Sequence, residues 1–95
     1  MYTASVQVVP IKVEDLTKVI DEVVDVIKKS GLKYEVNAHS TVVEGELGDI
    51  IKLAQEISKR CLEVCERCVF TLQIDLKRGG VRIDEKVGRY RVGRG

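Results

Sequence analysis

The 95-residue chain contains no tryptophan and one proline, and aromatic side chains make up only 4% of it. So few rings remove the usual stacking platform for single-stranded nucleic acid. A formal net charge of +1 gives no field that would gather polyanions or acidic lipid. No apolar run approaches the roughly 20 residues that a membrane-spanning helix needs. The first residues, Met1-Tyr2-Thr3-Ala4-Ser5, run directly into a strand pattern without the basic start of an export signal, so a cytoplasmic protein is expected. Three cysteines, an odd number, point to reduced thiols rather than a disulfide framework. The single histidine, His39, restricts acid–base chemistry near neutrality to one side chain.

What is present is regular periodicity. Tyr2, Ala4, Val6 and Val8 alternate with Thr3, Ser5 and Gln7, which predicts a strand closed by Pro10. Leu16, Val19, Ile20, Val23, Val24 and Ile27 recur at helical spacing. Glu14 and Asp15 stand at the start of that helix, Lys28 and Lys29 at its end, and Gly31 stops it. Leu32, Tyr34 and Val36 open a second strand, residues 37–40 turn it, and Thr41 to Glu46 form a third. Gly48-Asp49 begins a second helix with a stripe through Ile50, Ala54, Ile57, Cys61 and Cys65. Cys68, Phe70, Leu72, Ile74 and Leu76 alternate with Val69, Thr71, Gln73, Asp75 and Lys77 in a fourth strand, which Gly79-Gly80 end. A short helix follows with Ile83, Val87 and Tyr90 on one side, before a Gly-Arg tail.

The order β-α-β-β-α-β predicts an α+β fold over residues 1–95. This is a single ferredoxin-like sandwich: a four-stranded antiparallel sheet, two helices on one face, and a short C-terminal helix. The sheet face away from the helices then carries Ser5, Gln7, Thr71, Gln73 and Asp75. Small neutral polar groups suit burial against a ligand or a second subunit better than free solvation. With two free sheet edges and little core to spare, a homo-oligomer is expected, with a dihedral tetramer as a common solution.

Several constellations invite chemistry. Cys61, Cys65 and Cys68 have a C-x3-C-x2-C spacing that can hold three irons of a four-iron cluster. Here the first two lie on a helical stripe and the third on the buried side of a strand, so packing is the expected role and no metal is expected. Zinc would need a fourth ligand, and His39 belongs to a distant hairpin. No Ser-His-Asp or Cys-His order accompanies His39, so no catalytic residue is assigned. Glu44 and Glu46, two apart, are expected to share one strand face. From Lys77 onward the chain carries seven basic residues against Asp84 and Glu85, but the exposed aromatics of an RNA-reading sheet are missing, so nucleic acid is not expected as a partner.

The hairpin arm Thr41-Val42-Val43-Glu44-Gly45-Glu46 brings a hydroxyl, carboxylates and a glycine into an apolar strand. Buried carboxylates need partners, and glycine in a strand marks a bulge or a close approach. This arm, Pro10 after the first strand, Ser30-Gly31-Leu32-Lys33-Tyr34 after the first helix, Lys77-Arg78 and Lys86 together resemble the YkoF-like thiamine-binding protein family. The resemblance covers nearly the whole chain. It implies a non-enzymatic protein that binds thiamine or its hydroxymethylpyrimidine part at a subunit interface of a homo-oligomer, often a tetramer. The hairpin turn departs from the family, with Ala38-His39-Ser40 where Pro-Met-Gly is frequent, and Ile11-Lys12 replaces a common glycine. Ser5, Gln7, Thr41, Glu44 and Gly45 are the candidate ligand-binding residues: Glu44 to balance the thiazolium or accept from the exocyclic amine, and the hydroxyls and amide for further hydrogen bonds. No resident cofactor is implied. The alternative is an oligomeric structural or regulatory module without a metabolite.

Overall fold

Nine residues, Tyr2–Pro10, form β1 inside the sheet, with burial alternating from Ser5 onward and both Thr3 and Ala4 buried. In the computed structural model, which describes residues 1–91, β1 is followed by α1 (Leu16–Lys29), β2 (Lys33–Val36), β3 (Thr41–Gly45), α2 (Leu47–Val64), β4 (Cys68–Asp75) and α3 (Ile83–Arg91). The four strands form one antiparallel sheet in the order β2-β3-β1-β4. The expected βαββαβ sandwich is what the chain adopts. The Gly-Arg tail lies outside the described residues.

α1 begins where the Asp15 side chain accepts from the backbone N–H of Lys18 at 3.1 Å, and Lys28 and Lys29 meet the carbonyl end. It ends at Ser30, with Gly31 at φ +78° turning the chain into β2. Val23, Val26 and Ile27 of α1 pack with Ile50, Leu53, Ile57 and Cys61 of α2 over Ala4, Val6, Val8 and Val43 of the sheet. Arg60 ties the two helices at their surface, 2.5 Å from Glu22 and 3.6 Å from Asp25.

Four boundaries differ from the sequence expectation: β2 opens at Lys33 rather than Leu32, β4 closes at Asp75 before Leu76, and both ends of α2 move. α2 starts at Leu47, so Glu46 has left the strand and takes the N-cap position; it does not share a strand face with Glu44. Cys65 falls just beyond α2, its thiol donating back to the Cys61 carbonyl at 3.2 Å. The physical reason is the same at both ends: helix stripes extrapolate easily, but termini depend on capping geometry.

The last helix supplies what the element order could not. After β4, Gly79 and Gly80 adopt φ +85° and +89°, and the chain reverses direction. A Cβ on Gly80 would stand 2.3 Å from the Met1 carbonyl oxygen, so only glycine fits where the turn crosses the start of β1. Val81 then donates its N–H to that same carbonyl at 2.9 Å. α3 is thereby directed onto the sheet face opposite α1 and α2.

Candidate functional site

Strand register decides which candidates share a face. Thr3 pairs with Glu44 and Asp75, and Ser5 with Val42 and Gln73, so these six side chains belong to the face away from α1 and α2. Glu35 joins them from β2, opposite Val42. Thr41 pairs with Val6 and Gly45 with Tyr2, which places both on the helix-covered face. Of the residues singled out from sequence, Ser5, Gln7 and Glu44 therefore share one side, and Thr41 and Gly45 lie on the other. The close approach at Gly45 comes from Leu32, whose Cδ2 would be 3.0 Å from an added Cβ.

Glu44 is 9% exposed on an internal strand, and its partner is inside the molecule. Its Oε1 accepts the backbone N–H of Ile83 at 2.8 Å. Ile83 is the first residue of α3, so the carboxylate satisfies an otherwise unpaired donor and faces the positive end of the helix dipole. A strand residue thus performs the capping that α3 lacks locally.

Further ion pairs hold α3 against the sheet. Lys33 reaches Asp84 Oδ2 at 2.9 Å, Lys86 reaches Asp75 Oδ2 at 2.7 Å, and Arg91 pairs with both Glu35 and Asp84. The hydrogen bond from Lys33, together with the two nearby cations, keeps the Asp84 carboxyl below its ordinary pKa. The Lys86 ammonium also donates to the Thr3 hydroxyl at 3.3 Å.

Beneath α3 lies a groove of about 310 Å³ lined chiefly by Thr3, Glu35, Asn37, Val42, Lys86 and Tyr90. A second hollow of about 390 Å³ shares Thr3, Val42 and Lys86 and adds Ser5, Gln73 and Asp75. Lys86 stands where the two meet. The combined surface has an apolar floor at Val42, neutral donors and acceptors, two carboxylates that already have cation partners, and one phenol ring. Chemically it is suited to hold a small polar heterocycle. His39 sits in the turn between β2 and β3, outside both linings. Gln7 and Thr41 border a different hollow at the hairpin end of the sheet.

The sequence reading missed Thr3, Glu35, Asn37 and Tyr90 as lining residues, and Lys86 as a groove side chain. Thr3 had a usable signal: it has the same strand parity as Ser5 and Gln7. The α3 residues had none, because nothing local says which face a short, charged helix covers.

The cysteines lie elsewhere, at the junction of α2 and β4. Burial, reinforced by Cys68, pushes the Cys61 thiol up to about 12, and burial also raises Cys65. Among the described residues, no group of three or more His, Cys, Asp or Glu side chains is arranged to hold a metal ion. No described helix is long and apolar enough to cross a membrane.

Residues 4–91 match the family described as thiamine-binding protein. The chain belongs to that family. A UPF0045 protein of Clostridium perfringens is 39% identical over 90 residues, covering 92% of this chain and 94% of the relative. Among solved structures, a Thermotoga maritima protein named for a proposed role in thiamine biosynthesis or salvage superposes with a TM-score of 0.89 at 42% identity, over 95% of this chain and 98% of that one. A Bacillus cereus domain of unknown function gives a TM-score of 0.88 at 35% identity, over 96% and 90% of the two chains. The fold expected from the order of elements and the family expected from the hairpin arm and its companion motifs are those found. The family is described as thiamine-binding and the Clostridium perfringens relative as a UPF0045 protein, and neither name is that of an enzyme.

Proposed function

We propose that this protein binds thiamine, or its hydroxymethylpyrimidine part, without transforming it, in the groove between α3 and the open sheet face. The observation that carries this reading is the groove itself. Its approximately 310 Å³ and the adjoining hollow fall in the size range of small-ligand sites, and neutral polar groups converge on one apolar floor. Membership of the thiamine-binding protein family supports the same ligand class. Ser5, Gln73 and Asn37 offer hydrogen-bond partners for an aminopyrimidine edge, and Tyr90, 59% exposed, offers the ring on which it stacks. Glu44 acts from behind, by holding α3 in place. Thr41 and Gly45, on the other face, serve the packing that positions β3.

The working form is a cytoplasmic homo-oligomer, with a tetramer expected. α3 covers only part of the open face; Val9 and Val69, paired across β1 and β4, remain 46% and 51% exposed beside Gln7 and Thr71. A second subunit on this area removes apolar surface from water and closes the groove from the side. The same uncovered area favours the second reading, a structural or regulatory oligomer without a metabolite. Isothermal titration separates the two. Binding of thiamine or hydroxymethylpyrimidine supports the first, and no heat with either at millimolar concentration sinks it. Light scattering at micromolar protein should show at least a dimer; a stable monomer would refute the assembly.

A further inference from the structure

Every carboxylate on the groove surface is already matched by a cation from α3: Asp75 by Lys86, and Glu35 by Arg91. A permanently cationic ligand entering this groove therefore meets no free counter-charge. It must displace one of the protein's own cations, and the two are not equally held. Arg91 is shared between two carboxylates, Glu35 and Asp84. Lys86 has one carboxylate and one hydroxyl, and its ammonium stands at the junction of the two hollows. A lysine stem can swing into solvent, whereas a forked guanidinium bonded to two carboxylates is fixed in place.

We propose that Asp75 and Thr3 form a cation subsite that Lys86 occupies when the groove is empty, and that a cationic ligand binds by exchanging places with the Lys86 ammonium. The inference rests on the reading of the groove as a thiamine site and assigns the subsite for the positive ring. Thr3 is 2% exposed, yet its hydroxyl is engaged by a side chain that is 43% exposed. Burial fixes Thr3, whereas the half-exposed Lys86 has open solvent beside it into which its stem can turn. Displacing Lys86 leaves α3 attached, because the Glu44 cap, the Lys33–Asp84 pair and Arg91 stay in place. Lys86 then sets specificity. It opposes a cation by competition and by repulsion, and a neutral pyrimidine meets neither effect.

The test is calorimetric titration of the intact protein and of Lys86→Met and Lys86→Arg with thiamine and with neutral hydroxymethylpyrimidine. Removing a competing, partly exposed ion pair and its repulsion of the ligand should tighten thiamine binding to Lys86→Met by roughly three- to tenfold. Neutral hydroxymethylpyrimidine has no charge to gain from losing the ammonium, so the ratio of thiamine to hydroxymethylpyrimidine affinity should rise by roughly the same three- to tenfold in Lys86→Met. Lys86→Arg keeps the cation in a form that grips Asp75 at least as firmly, and should bind thiamine no more tightly than wild type. Unchanged circular dichroism in both variants verifies that α3 persists. If wild type binds thiamine and Lys86→Met binds it equally or more weakly, the exchange is refuted and the groove reading stands. Thiamine binding by Lys86→Met alone would support the exchange. If none of the three proteins binds either compound, both readings fall.

Discussion

Glu44 gives the sharpest separation between a ligand contact and an architectural one. Its carboxylate accepts the Ile83 N–H at 2.8 Å in a buried setting, at the first residue of α3. Glu44→Ala removes the acceptor and leaves that N–H unpaired beneath the helix, which costs about 1–3 kcal/mol. Glu44→Gln keeps an acceptor oxygen of the same reach and loses only the attraction of a negative charge for the helix N-terminus, about 0.3–1 kcal/mol. The cost falls on docking of α3, because its other fastenings are largely exposed ion pairs and of its residues only Ile83 is buried. Local opening of α3 should therefore become easier while the sheet keeps its protection. Amide hydrogen exchange read by nuclear magnetic resonance should show α3 amides such as Lys86 exchanging roughly 5- to 150-fold faster in Glu44→Ala, the conversion of 1–3 kcal/mol. Amides of Val6 and Val43 should be unchanged. Glu44→Gln should stay within about fivefold of wild type, equivalent to 1 kcal/mol. If Glu44→Ala leaves α3 protection intact yet abolishes thiamine binding, the carboxylate touches the ligand and the capping argument is wrong.

Three further outcomes follow from the geometry. Gly80→Ala combines a positive φ with a Cβ 2.3 Å from the Met1 carbonyl; it should cost more than about 1 kcal/mol and lower Tm by at least about 4 °C in calorimetry, and an unchanged Tm would refute the close crossing. Cys61, its thiol raised to about 12 chiefly by burial, carries almost no thiolate at pH 8. Mass spectrometry after iodoacetamide treatment of the native protein should find it unmodified, and rapid labelling would contradict the packing. The Asp84 carboxyl lies below its ordinary 3.8 through Lys33 and Arg91, so its contribution to α3 docking is present above about pH 4 and lost as pH falls through the lower folded value. Exchange rates of α3 amides, corrected for intrinsic pH dependence, should be flat from pH 7 to 5 and rise only below that window; a rise already at pH 6 would point to a different group.

The sandwich was legible because its signals reinforce one another. Alternation in β1 and β4, the stripe from Val19 to Ile27, the Asp15 cap and the Gly31 stop all specify the same elements, and their order admits few topologies. Even the face carrying Ser5, Gln73 and Asp75 follows from parity alone. Register between strands was not legible. The turn at residues 37–40 could not reveal that Thr41 meets Val6 while Glu44 meets Thr3. The separation of Thr41 and Gly45 from Glu44 was legible, since it follows from the period of two within β3. Sequence proximity in the hairpin arm suggested one site, but in a strand, neighbours are the residues least able to share a surface.

The placement of α3 was illegible for a different reason, and it is the one that matters for function. A helix directed by hydrophobic burial advertises its stripe; this one has Ile83, Val87 and Tyr90 amid charged residues and is placed by partners distant in sequence. Lys33 lies 51 residues from Asp84, Glu35 56 from Arg91, and Thr3 83 from Lys86. Such pairs contribute little each when exposed, so they do not drive folding. Together with one buried cap they select which face a weakly apolar helix covers. That division of labour suits a binding groove: the rigid sheet holds Thr3, Ser5 and Asp75, and the roof rests on contacts that a charged ligand can exchange without disturbing the core. A roof fastened by several leucines would be more stable but harder to open, and its position would have been written plainly in the sequence.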